Sequence, residues 1–297
     1  MIVADVTLRE HGQNVRAAAL DRFTVELRVA TARALIDAGV RRLEILSCVS
    51  PRVAPAMAPE LLAEVARGVG RRDGVRIVTL VPNLRGYETF RDCGLVEQGH
   101  AVGLFLSADP AHNRANLGRS VGESLNDCEA TAGAAQADGA AVVGYVSGAW
   151  GWQPSASGEH EPLYVGAVIT LARRLAGLGC ETVTLSDLQG LASALRTRER
   201  LEEVRRELPG NTVLGHHPHH ADPATSVALA SAAYDGGARL LDGSLGATGG
   251  CVVGEAPGNA PTEGILAMLE QRGVASGVDR AAVEAAAQRF HESQQGG

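Results

Sequence analysis

Eight short apolar runs rich in β-branched residues, separated by helical patterns, predict a parallel (β/α)8 barrel, the TIM-barrel architecture. The runs recur ~25 to 40 residues apart, the spacing that successive βα units require. No GxGxxG turn follows the first run, which argues against the competing open doubly wound sheet. A length of 297 residues suits one barrel, because barrels occupy ~250 residues as a single domain.

The first strand is read over 2–6, where Ile2, Val3 and Ala4 lead into Asp5 and Val6. Five later strands share one junction, an amphipathic stretch that ends in glycine before an apolar run begins. A glycine just past a helix supplies its left-handed cap. DAGVRRLEI, with Gly39, opens a strand near 42–46. DCGLVEQGHAVGLF, with Gly94, opens one near 99–105, and ADGAAVVGYV, with Gly139, one near 140–145. LGCETVTL, with Gly179, gives 181–185, and DGGARLLDG, with Gly237, gives 239–242. The runs Val75 to Leu80 and Thr212 to Leu214 mark the other two, near 75–80 and 211–215. A closing helical pattern runs from Asp279 to Gln295. The expected organisation is a barrel over 1–275, with 276–297 as a C-terminal helix and tail of the same domain.

Composition removes several chemistries. All 27 basic residues are arginine, and without lysine there is no Schiff-base catalysis, no lysine to hold pyridoxal phosphate and no Walker-type phosphate loop. A net charge of −7 with no basic run argues against nucleic-acid binding. No apolar run of 18 residues suggests a membrane span, and the start Met1-Ile2-Val3-Ala4-Asp5 lacks a cationic leader. Five scattered cysteines without a CxxC pair suit a reducing compartment, so the expected location is the cytoplasm. Small molecules are the expected partners.

A β/α barrel carries its chemistry at the C-terminal strand ends. Here those ends bring Asp5-Val6-Thr7-Leu8-Arg9-Glu10-His11, Glu44, Ser186-Asp187, His216-His217-Pro218-His219-His220 and Asp242. Residues two apart on an extended chain point the same way, so His217 and His219 can chelate one cation. Imidazole with carboxylate suits zinc, manganese, iron or magnesium, and Glu10 is the best placed carboxylate. The competing reading is a solvated polar tract. Cys251 lies in a glycine-rich segment after the last strand, where a thiol can either exchange protons or simply pack. Cys48, Cys93, Cys128 and Cys180 read as packing residues.

In family order and at nearly family spacing, the stretches TLREHGQN, SCVSPRVAPAM, LVPNLRGYE, NLGRSVGESL, GYVSGAWG, TLSDLQG, HPHH, LLDGSLGATGGC and APGNAPTE resemble the 3-hydroxy-3-methylglutaryl-CoA lyases, within the metal-dependent lyase and Claisen-synthase barrels. The resemblance implies that Arg9 stabilises an enolate and that Glu10, His217, His219 and Asn259 hold a divalent cation. Magnesium or manganese is implied first, with zinc, cobalt or iron as alternatives. It further implies that Cys251 sits on a mobile loop, that Glu44 and Asp187 are catalytic, that Gln13 and Glu263 bind substrate, and that the protein is a homodimer. The implied reaction is retro-Claisen cleavage of a 3-hydroxyacyl thioester to acetyl-CoA and a keto acid.

The sequence departs from that family at Arg9-Glu10-His11, which stands where its members read Arg-Asp-Gly. Glu10 is one methylene longer than aspartate, and His11 is expected to bring a further imidazole to the site. The loop between Cys251 and Asn259 looks one residue shorter, and the segment before Pro223 one residue longer. Two other readings stay open. HPHH and DGSLGATG also resemble pyruvate-releasing 4-hydroxy-2-oxoacid aldolases, with a condensing synthase as a related possibility, and a barrel that has lost catalysis would serve as a binding subunit.

Overall fold

The computed structural model describes residues 1–153, 164–250 and 257–295. Eight parallel strands close in sequence order: β1 (Ile2–Asp5), β2 (Arg42–Ser47), β3 (Arg76–Leu80), β4 (Ala101–Ser107), β5 (Val142–Ser147), β6 (Thr182–Asp187), β7 (Val213–Pro218) and β8 (Leu240–Gly243). Register of β1 with β8, Ile2 opposite Leu240 and Asp5 opposite Gly243, completes the ring. The α-helices are α1 (Thr7–Asn14), α2 (Val25–Asp37), α3 (Pro59–Val69), α4 (Leu84–Asp92), α5 (Pro110–Leu117), α6 (Val121–Ala137), α7 (Val165–Gly177), α8 (Ala194–Glu207), α9 (Pro223–Asp235), α10 (Thr262–Gln271) and α11 (Arg280–Gln295). No described helix is long and apolar enough to cross a membrane.

Local chemistry sets the helix starts. Asp109 and Asp222 each accept two backbone N–H groups ahead of a proline at the first helical position, and Ser120 with Glu123 forms a reciprocal capping box. The five junction glycines all adopt positive φ, between 72° and 98°, as their sequence positions predicted.

The strand centres fall where the hydrophobic runs place them, but β4, β5, β6 and β7 each extend two or three residues further than the apolar pattern. The added residues include polar ones that remain in the ladder: Ser107 pairs with Ser147, Ser186 with His217 and Asp187 with Pro218. Hydrogen bonding of the backbone continues where hydrophobicity has stopped, which delivers the polar strand ends into the mouth of the barrel.

The main apolar core lies between strands and helices, and Val78, Leu80, Ala101, Val143 and Tyr145 form a smaller one inside the barrel. Polar groups share that interior: Arg42 and Glu44 on β2 and Asp242 on β8 are all under 5% exposed. C-terminal helix α11 buries Val283, Ala286, Ala287 and Phe290 and packs against α2. Asp279 N donates to Ala38 O, 2.7 Å, fastening the lead into α11 beside the end of α2.

Candidate active site

The chain after β1 forms α1 at once, and this helix carries Arg9, Glu10 and Gln13 over the mouth of the barrel. Arg9 and Gln13 are one turn apart, and Arg9 Nη1 lies 3.4 Å from Gln13 Oε1. Glu44, rising from β2, takes the rest of the guanidinium: its Oε2 accepts from Arg9 Nε at 2.8 Å and from Nη2 at 2.7 Å. The Tyr145 hydroxyl donates to the other oxygen of Glu44. Burial alone would push the Glu44 carboxyl up, but Arg9 and the Tyr145 hydroxyl hold it below its ordinary value, so it stays ionised. Arg9 is therefore a cation fixed in orientation.

Glu10 points into the same cavity. Its Oε1 pairs with Arg9 Nη1 and stands 3.9 Å from His217 Nε2, and its Oε2 accepts from Gly250 N at 3.1 Å. The loop backbone runs against it so closely that a Cβ at Gly249 would come within 2.5 Å of Glu10 Cβ, and Gly249 also holds φ at +96°.

The four neighbouring histidines divide as strand alternation requires. His217 and His219 meet, Nε2 to Nε2, at 2.9 Å. His216 turns to the opposite face, where its Nδ1 meets Leu185 O at 3.1 Å and its ring packs edge-on against Trp150. His220 Nδ1 accepts from Asp222 N at 2.9 Å at the start of α9. Burial pushes His217 down to about 3, and burial with the neighbouring His217 holds His219 well below its ordinary value, so both rings are neutral.

The protons can be followed. His219 Nδ1 faces the Pro257 carbonyl at 3.1 Å, which only accepts, so the lone pair of His219 is on Nε2. His217 Nε2, facing that lone pair, must present a hydrogen or share a cation with it. At its other end, His217 Nδ1 lies 3.2 Å from Asp242 Oδ2, whose carboxyl is raised well above its ordinary value by burial and by Glu44. The two groups stand within ion-pair range, but neither His217 Nδ1 nor the Asp242 oxygens have a hydrogen-bond partner among the described residues.

An isolated antiparallel bridge sets Asn259 beside His219. Asn259 Nδ2 donates to Thr248 O at 2.7 Å, while its Oδ1 is buried without a hydrogen-bond partner among the described residues. An orphaned amide oxygen beside two facing imidazole nitrogens fits the donor set of a divalent cation. Among the described residues no three His, Cys, Asp or Glu groups are placed to hold one cation, and the Glu10 carboxylate pairs with Arg9.

Arg9, Glu10, His217 and His219 line a cavity of about 290 Å³, together with apolar Leu80, Pro82, Phe105, Leu117 and Leu188 and polar Asn83, His112, Asn116, Ser147 and Ser186. Of the remaining candidates, Gln13 lines the cavity and Glu44 lies beneath it. Asp187 and Glu263 do not line it: Asp187 accepts from Leu191 N and Ala192 N at 3.0 and 2.9 Å, and Glu263 accepts from Gly246 N at 3.0 Å. Cys251 lies outside the described residues.

One expectation is corrected. His11 brings no imidazole to the cavity: α1 rotates it 100° per residue away from Glu10, and it packs edge-on against Phe23 and Phe290 with Nε2 3.0 Å from Gln294 Oε1. Sequence reasoning assigned no role to Tyr145, which anchors Glu44, or to Asp242, which stands beside His217. The signal was available, since each puts a polar group inside a largely apolar strand.

Fold and site together define a β/α-barrel protein with a histidine, carboxylate and arginine centre at the C-terminal mouth. The HMGL-like family matches residues 1–289, and the chain belongs to that family. The hydroxymethylglutaryl-CoA lyase of Pseudomonas mevalonii is 34% identical over 282 residues, covering 95% of this chain and 88% of the relative. A Pseudomonas aeruginosa protein, the 3-hydroxy-3-isohexenylglutaryl-CoA/hydroxy-methylglutaryl-CoA lyase, is 33% identical, covering 89% and 85%. Among solved structures, a hydroxymethylglutaryl-CoA lyase from Pseudomonas aeruginosa superposes with a TM-score of 0.86 at 29% identity, covering 100% of this chain and 93% of its own. An HMG-CoA lyase from Acinetobacter baumannii, in complex with coenzyme A and 3-methylmalate, gives 0.86 at 25% identity, covering 99% and 91%.

Proposed function

We propose that this protein is a divalent-cation-dependent carbon–carbon lyase that cleaves 3-hydroxy-3-methylglutaryl-CoA, or a close 3-hydroxyacyl thioester, to acetyl-CoA and a keto acid. The observation that carries the reading is the convergence of Arg9, Glu10, His217 and His219 on one cavity at the C-terminal end of the barrel. His217, His219 and Asn259 would hold the cation, magnesium or manganese by preference, with Glu10 as the carboxylate ligand. When bound, it supplies Lewis-acid polarisation of substrate oxygens.

Cleavage asks three things of the chain: to accept the hydroxyl proton, to stabilise the charge that builds on the departing enolate, and to return a proton to carbon. Glu10 is the proton acceptor on the cavity wall, since the imidazole lone pairs would be held by the cation. Arg9 stabilises the enolate, with its fork of donors already aligned by Glu44 and therefore not reorganised during the reaction. We assign the returning proton to Cys251 and substrate contact to Gln13. Asp187 and Glu263 act one step back, holding the loops at the rim.

The apolar residues in the lining, Leu80, Pro82, Phe105, Leu117 and Leu188, support a second reading, a bulkier alkyl group at C3, which is also what the name of the Pseudomonas aeruginosa relative describes. The four described cysteines are free, and three of them are buried, which fits a reducing, cytoplasmic setting. A homodimer and a single catalytic domain over 1–275 complete the proposal.

Purified protein should convert 3-hydroxy-3-methylglutaryl-CoA to equimolar acetoacetate and acetyl-CoA, read by mass spectrometry beside longer 3-alkyl analogues and 4-hydroxy-2-oxoacids. The His217→Ala/His219→Ala variant should lose both metal content and turnover. Pyruvate release from 4-hydroxy-2-oxoacids alone would overturn the assignment in favour of the aldolases, and full metal retention in the double variant would move the cation elsewhere.

A further inference from the structure

The opposite end of the barrel carries a second depression, of about 620 Å³, that the lyase chemistry does not use. It is built where strands begin. Arg42 opens β2 and Arg76 opens β3, while Arg41 stands just before β2, and Arg71 and Arg72 precede β3. Five arginines therefore line one concavity in a chain whose net charge is −7, with Arg41 giving Nη1 to Ile36 O at 3.0 Å. Two carboxylates share its lining, Asp73 and Glu181, and Glu181 is engaged by Arg76 at 2.8 Å. Among the described residues no other rim arginine has an ion-pair partner.

Arg42 supplies an independent observation. It is 4% exposed, and its Nη2 is used inside the barrel, on the Tyr145 hydroxyl at 3.3 Å and Thr182 Oγ1 at 3.0 Å. Its Nε is buried without a hydrogen-bond partner among the described residues. A buried N–H without an acceptor is destabilising, and like charges gathered round a concavity focus a positive potential into it. Catalysis in a β/α barrel belongs to the other end, so enolate stabilisation does not account for the rim arginines Arg71, Arg72 and Arg76.

We propose that this basal depression is a binding site for a small phosphorylated anion carrying at least two negative charges, with Arg71, Arg72 and Arg76 at its rim and Arg42 at its floor. Guanidinium forks match phosphate oxygens in pairs, and several forks around one hollow suit a polyanion better than a single carboxylate. The size of the hollow is that of a metabolite site.

Inorganic pyrophosphate is the probe, titrated into the full-length protein by calorimetry. One saturable site is expected, with a Kd below ~1 mM, weakened at least about tenfold in Arg71→Ser/Arg72→Ser. Both positions are exposed, so that variant keeps its fold. Binding should persist in His217→Ala/His219→Ala, which removes any contribution from a cation in the acyl cavity. Absence of saturable binding, undiminished affinity in the rim variant, or loss of binding in the histidine variant would each overturn the proposal. The readout is binding, so a failure of the lyase assignment leaves it standing.

Discussion

Arg9 is gripped along its whole guanidinium, by Glu44 on one side and by Glu10 and Gln13 on the other. Lysine keeps the charge but has one point of contact where arginine has a planar fork. Arg9→Lys should therefore fold normally and lose turnover by about 100-fold or more with a much smaller change in KM, the pattern of an interaction made in the transition state. Unchanged kcat would remove Arg9 from the chemistry. Glu10 differs from the family's aspartate by one methylene, and that length is in use: its carboxylate reaches both Arg9 and the Gly250 N–H. Glu10→Asp withdraws it from the loop and leaves a buried N–H without its acceptor, a cost of ~1–3 kcal/mol. A fall in kcat/KM of about tenfold or more on the native substrate is expected, and a rise would show that Glu10 merely stands in for aspartate.

Helix α1 links the site to the C-terminus. One side presents Arg9, Glu10 and Gln13 to the cavity, and His11 faces Phe23 and the α11 residues Phe290 and Gln294. The replacement of glycine by His11 is thus a docking device for α11, which leaves Glu10 as the departure within this motif that bears on substrate choice. Phe290 is 1% exposed and lies edge-on to that imidazole. Phe290→Ala should cost ~3–5 kcal/mol of unfolding free energy, the range for truncating a buried aromatic. Denaturant unfolding measures it, and a loss under ~1 kcal/mol would show that α11 contributes little to holding the barrel.

Stability of the whole barrel should depend on pH through its buried imidazoles. His100 is one of them, with Nδ1 2.9 Å from Thr79 Oγ1, Nε2 without a hydrogen-bond partner among the described residues, and burial pushing its pKa down from 6.5 to about 3. The sign follows from proton uptake: below pH 6.5 the unfolded chain binds a proton that the folded protein refuses, until pH falls to about 3. Each unit of pH lost in that window removes ~1.4 kcal/mol for this one residue. Unfolding free energies between pH 4 and 7 should show a shallower acid limb in His100→Gln than in the wild type. Parallel limbs would mean that His100 is charged in the fold.

Much of this was written in linear order, because strand periodicity and junction glycines depend on residues a few places apart. The barrel, the eight strand centres and the His217 and His219 pair were therefore readable, and the two imidazoles needed only the two-residue alternation of a strand. Strand ends ran past their prediction because backbone pairing, which has no hydrophobic signature, carried Ser107, Ser147 and Asp187 onward. Partnerships across the barrel were not readable at all. Tyr145 with Glu44 spans 101 positions and Arg42 with Thr182 spans 140, and closure of the ring alone brings such residues together. Direction was equally hidden at His11, where one residue of helical rotation sends an imidazole into the C-terminal helix rather than the site. Amino-acid order thus determined which elements form and which groups they carry, while closure and helix rotation, acting over distances that no local pattern records, assigned those groups to the cavity, to the interior or to the rim.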